Sequence, residues 1–189
     1  LGALELFSVH IGWRLCLYAE LADWGPATPA DLARRAEIDE RYAREWLEQQ
    51  AVAGLLEVDP ALPAHERLYR LPPEHAEVLA DPDSPAYVAP FGPMLAGIGG
   101  ALPDVVAAYR SGEGVPFARY GVDLRDGQGE INRPAFTHDP PVWLGGVPAA
   151  GAALPRGRAL RVPALALRPR PLARAPSPAR PARPRPTLS

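Results

Sequence analysis

Leu4, Phe7, Ile11, Leu15, Tyr18, Leu21 and Ala22 recur three and four residues apart, the spacing of one helical face. Gly25-Pro26 ends that run, because the pair favours a turn. Thr28-Pro29-Ala30-Asp31 has the chemistry of a helix start. Thr28 can cap, Pro29 needs no N–H partner at the first helical position, and Asp31 places a negative charge beside unpaired amides. Leu32, Ala33 and Ala36 supply the buried side of this short helix. Glu37-Ile38-Asp39 forms a turn, and Asp39 can cap a further helix from Glu40-Arg41. Tyr42, Trp46, Leu47 and Ala51 follow at helical spacing, with Gly54 just past the end. Two short helices joined this way predict a helix-turn-helix.

Residues 55–58 read as a short strand and 67–71 as its partner, with Pro60 and Pro63 in the loop between. A hairpin after a helix-turn-helix makes a winged helix. Pro72-Pro73-Glu74 opens another helix through Leu79, and 81–85 is a loop. Residues 87–110 are apolar and predicted helical, with breaks at Pro90, Pro93, Gly97, Gly99-Gly100 and Pro103. Residues 111–121 read as a glycine-containing loop, and 122–136 as a helix that needs packing from elsewhere. The predicted fold is mainly α: a winged helix-turn-helix with one small β-hairpin, a helical extension and a disordered C-terminal tail. The predicted domains are a winged helix of the dimerisation type over 1–80, a helical linker over 81–139, and a Pro/Ala/Arg-rich tail over 140–189.

Composition sharpens the last boundary. All 22 acidic residues and 11 arginines lie in 1–139, giving that part about 11 negative charges; the remaining 50 residues hold nine arginines, twelve prolines and no acid. The chain has no lysine. Arginine has GC-rich codons and lysine AT-rich ones, so a GC-rich gene is expected. Ala, Pro, Arg and Gly, which dominate 140–189, are what such a gene yields when read out of frame. The expectation is therefore a frameshift near 138–141, natural or from sequencing. A chain opening on Leu1 is expected to lack upstream residues or to start at a TTG codon. One cysteine, Cys16, excludes an intrachain disulfide. No run of 18 apolar residues occurs and residues 1–22 lack a basic start, so neither membrane span nor signal peptide is expected. The cytoplasm is the expected compartment.

The run DLARRAEIDERYAREWLEQQAVAGLLEVD, followed in order by RLYRLPPEHAEVL, GVPFARYG and INRPAFTHD, resembles the N-terminal winged-helix region of a bacterial class I SAM-dependent methyltransferase family. The resemblance covers roughly residues 3–139 and stops where the composition breaks. It implies methyl transfer from SAM to a small molecule in a complete protein, through a following Rossmann-like domain with a glycine-rich turn after its first strand. The tail has no G-x-G and no acid to hold the SAM ribose. No cofactor bound by this chain, no catalytic residue and no metal ligand is therefore expected, and whether the chain is an enzyme stays open: methyltransferase by resemblance, without the domain that does the chemistry.

Other chemistry is sparse. The predicted recognition helix carries Arg41 and Arg44 against Asp39, Glu40, Glu45 and Glu48, and DNA affinity rests on neutralising phosphates. Specific DNA binding is not expected. The alternatives to a methyltransferase module are a winged-helix transcription regulator and a pure dimerisation module. His10, His65, His75 and His138 have no metal-ligand spacing. Cys16, Trp13, Trp24 and Trp46 read as core or interface residues. Phe117, Tyr120, Arg133 and Phe136 are, through the resemblance, candidates to line a substrate pocket or to pack between domains. The expected partner is a second copy, paired through the helices of 1–22 and 86–106.

Overall fold

Cys16 divides the first apolar run. Its φ of 57° is left-handed, so the single helix expected over 4–22 is two, α1 (Gly2–Arg14) and α2 (Leu17–Trp24). A non-glycine residue in that region costs roughly 1–2 kcal/mol and breaks the hydrogen-bond ladder of a helix. The break also reassigns the faces. Val9, Trp13, Leu17, Tyr18 and Leu21 enter the core, whereas Leu4, Phe7, Ile11 and Leu15 stay exposed. This computed structural model describes residues 2–139. The reading of 140–189 as a disordered tail lies outside the described residues.

The helix-turn-helix forms where its caps require it. In α3 (Pro29–Ala36), Thr28 Oγ1 accepts from Asp31 N at 3.2 Å, and the Asp31 carboxylate reaches back to Thr28. The Thr28 hydroxyl and then Arg34 hold the Asp31 carboxyl below its usual range. Asp39 Oδ1 accepts from Arg41 N at 2.9 Å to start α4 (Glu40–Val52). Gly54, at φ 76°, takes the left-handed position beyond it. Thr28→Ala should lower unfolding stability by about 1 kcal/mol, read from urea denaturation; an unchanged midpoint would contradict this role for the cap.

The wing is shorter than the sequence pattern predicts: β1 (Glu57–Val58) pairs antiparallel with β2 (Tyr69–Arg70), Val58 facing Tyr69. Leu55 and Leu56 do not join the ladder because both amides donate to Gln50 O at the end of α4. Tyr69 is held from its other side by Ala27, through backbone bonds of 2.9 and 3.1 Å. One core gathers α1, α2, α3, α4 and the wing around Trp13, Tyr18, Leu32, Leu47 and Tyr69. Gln50 is fully buried there, and its Oε1 accepts from Tyr18 OH. Burial raises the Tyr18 hydroxyl far above its ordinary pKa.

α5 (Pro73–Leu79) leads to α6 (Phe91–Ser111), a 3-10 turn (Phe117–Tyr120) and α7 (Gly121–His138). The expected breaks in 87–110 do not occur within α6. Pro93 sits in the first turn, where no N–H is needed. Gly92 and Gly97 serve as close contacts. A Cβ at Gly92 would lie 2.7 Å from His10 N, and one at Gly97 would lie 2.5 Å from Leu124 N. Gly127 of α7 meets Met94 and Pro90 in the same way. α7 is three residues longer than expected, and its N-terminus is tied to α1 by Arg14 and Asp123, 2.6 Å apart. Residues 86–90 are irregular and not part of the outer helix. Tyr87 is core: its hydroxyl accepts from Trp13 Nε1 at 3.0 Å, and burial pushes its pKa up to about 12. α6, at 21 residues, has the length and composition of a membrane-crossing helix, but it packs on α1 and α7.

Candidate functional site

Two surfaces carry the residues singled out above. The first is the outer face of α4 with the wing. Arg41 Nε donates to Glu45 Oε1 at 3.0 Å, and Arg44 Nη2 donates to Glu40 Oε1 at 3.1 Å. Both arginines of the helix are thus paired one turn away on their own helix, the arrangement that opposite charges four residues apart adopt. In the wing, Arg70 pairs with Glu57, and Arg67 donates to the carbonyls of Leu62 and Pro60. What faces outward between these groups is acidic and apolar. Glu5, Glu45, Glu48, Gln49, Val52 and Ala53 line one shallow depression, and Glu48 and Val52 also border a second against Pro60 and Arg67. Val52 is 90% exposed. Gln50 is buried under α4 with Tyr18 and is unavailable to any ligand.

The second surface lies along α7. Phe117 and Tyr120 come together, ring centroids 6.3 Å apart at the start of that helix. Arg133 and Phe136 lie near its other end, roughly 20 Å away at 1.5 Å per residue. The four candidates are therefore two pairs. Arg133 bonds Asp83 at 2.9 Å and lies near Glu130 at 3.7 Å, so its charge is spent in joining α7 to the 81–85 loop. His138 Nε2 contacts Asp83 O at 2.9 Å on the same loop. Phe117 and Phe136 remain more than half exposed. Trp13 and Trp46 are core and Trp24 is exposed. Cys16 is half-buried, at the helix break.

Sequence reasoning missed what joins distant segments: the Arg14–Asp123 pair and the glycine contacts of α6 and α7. The one available signal was glycine inside apolar helices, which marks close approach as readily as a break.

The described residues do not fit a SAM site of the expected kind. Gly97-Ile98-Gly99 and Gly127-Gln128-Gly129 lie inside helices, and Gly112-Glu113-Gly114 follows a helix. The strands described make only an antiparallel hairpin, so no glycine turn follows a parallel strand. Among the described residues no cluster of His, Cys, Asp and Glu could hold a metal ion.

Residues 2–81 match the model of the Rv2258c-like winged HTH domain. Human N-acetylserotonin methyltransferase, solved in complex with SAM, is similar at a TM-score of 0.53 and 18% identity, over 76% of this chain and 45% of that one. The 8-amino-8-demethyl-D-riboflavin dimethyltransferase of Streptomyces davawensis is similar at 0.52 and 23% identity, over 71% of this chain and 41% of that one. The chain thus spans less than half the length of these solved structures, and at such identities the likeness shows the fold. No curated protein matches the chain. Residues 2–81 thus resemble the Rv2258c-like winged HTH domain, and their fold is a winged helix-turn-helix.

Proposed function

We propose that residues 2–139 are the non-catalytic N-terminal module of a cytoplasmic SAM-dependent methyltransferase that acts on a small molecule, and that this chain transfers no methyl group itself. The observation that carries the reading is the self-neutralised face of α4: a winged helix that pairs both recognition-helix arginines with its own glutamates is built for packing. The likeness of fold to two methyltransferases, extending beyond the winged helix, supports the same reading. SAM, bound in one of those structures, would be held by a domain that the described residues do not supply. Phe117, Tyr120 and Phe136 then act as packing surface for that domain, with Arg133 fixing α7. A second copy of the chain is the proposed partner.

Duplex DNA separates this reading from a transcription regulator. Fluorescence anisotropy should find weak, sequence-blind binding that falls steeply with salt, as expected for the arginines of 140–189. The double variant Arg41→Ala, Arg44→Ala should leave it unchanged. Sequence-selective binding that this variant abolishes would replace the module reading with the regulator.

A further inference from the structure

α1, α6 and α7 meet at a small, partly exposed polar group. α6 crosses α1 at Gly92, against the backbone of His10 and Leu6. One turn along α1, Arg14 pairs with Asp123 in the first turn of α7. The His10 ring sits at this crossing with Nδ1 buried and without a hydrogen-bond partner among the described residues. Two charged groups act on it, Asp123 of α7 and Arg14 of its own helix. The charged residues of α6 are Asp104 and Arg110, in the half of that helix away from Gly92. α2 carries Glu20 and Asp23, and α4 carries Glu40, Glu45 and Glu48 with Arg41 and Arg44.

We propose that His10 is a proton-operated latch on α7: protonation puts a second N–H on a ring whose buried nitrogen has no acceptor, and the junction opens to hydrate the imidazolium. An N–H on the buried Nδ1 has no acceptor in the closed state, where Asp123 bonds Arg14. Arg14 can leave, because it is about one-third exposed. α7 is poorly fitted to stand alone, with Gly127 and Gly129 near its middle and Pro134 further on. Its hold on α1 therefore depends on this ion pair and on the glycine contacts with α6.

Burial, more than Asp123 opposes it, pushes the His10 pKa below its ordinary value, and Arg14 adds to the shift. The sign follows. The neutral ring is favoured in the closed state, so closure is complete above the ordinary histidine value of about 6.5 and weakens as pH falls below it.

Hydrogen exchange of the full chain at about pH 7.5 and about pH 5, on either side of that value, tests the latch, with rates corrected for intrinsic exchange. Opening of the first half of α7, referred to the amides of α4, should rise severalfold at the lower pH. His10→Gln should remove that rise. Asp123→Asn keeps His10 but removes its anion, so it should enlarge the rise. The same pH response in His10→Gln as in the unmodified chain would overturn the proposal, as would a smaller response in Asp123→Asn.

Discussion

Phe91→Asp should convert a tight self-association into a weak one. The stripe Phe91, Ile98, Leu102 and Val106 runs exposed along α6, beside the exposed Leu4, Phe7 and Ile11 of α1, and α1 packs directly on α6. Large contiguous apolar surfaces on soluble chains mark interfaces or aggregation, and a winged helix of this size lacks the core to cover both helices. Phe91, Leu95, Ile98 and Leu102 are spaced four, three and four, which suits a helix pairing with a copy of itself across a twofold axis. The proposed dimer should have a submicromolar dissociation constant, about −8 kcal/mol or tighter. An unpaired carboxylate buried there costs on the order of 3–5 kcal/mol, a weakening of at least about a hundredfold. Sedimentation velocity should give dimers, with some larger species, for the unmodified chain and a marked shift to monomer for the variant. A stable monodisperse monomer of the unmodified chain would refute the pairing.

The second large effect is internal. Trp46 is the rivet between α4 and α1: it meets Tyr18 edge-on at 5.1 Å, its Nε1 donates to Ser8 O at 3.0 Å, and a Cβ at Gly12 would lie 2.5 Å from its ring. Trp46→Ala should cost about 3–5 kcal/mol, enough to unfold a domain of ordinary stability. Loss of the cooperative thermal transition, followed by far-UV circular dichroism, is the expected result. A variant that melts within a few degrees of the unmodified chain would mean that α4 is anchored elsewhere.

The winged helix was legible because its signals are local. Thr28, Asp39 and Gly54 act on amides or dihedral angles within three residues of themselves. The alternation at 67–71 likewise marked β2, although Gln50 O claims the amides that would have lengthened β1. What failed were inferences in which tertiary contact overrides propensity. Cys16 carries no mark of a left-handed break. Gly97 reads as a helix breaker until Leu124 lies against it, and Tyr87 reads as outer surface until Trp13 bonds it. The site residues were hardest, since Arg14 and Asp123 stand 109 residues apart. Phe117, Tyr120, Arg133 and Phe136 came from resemblance, and the structure divides them between two ends of one helix.

The central claim, that residues 2–139 are the leading module of a methyltransferase, is tested most directly by resequencing the gene across the Asp139 codon and onward. The account predicts that the reading frame changes near that codon and that one of the other frames encodes a strand, a Gly-x-Gly turn and a helix, with an acid about 20 residues on. Confirmed sequence in which no frame encodes that pattern would contradict it.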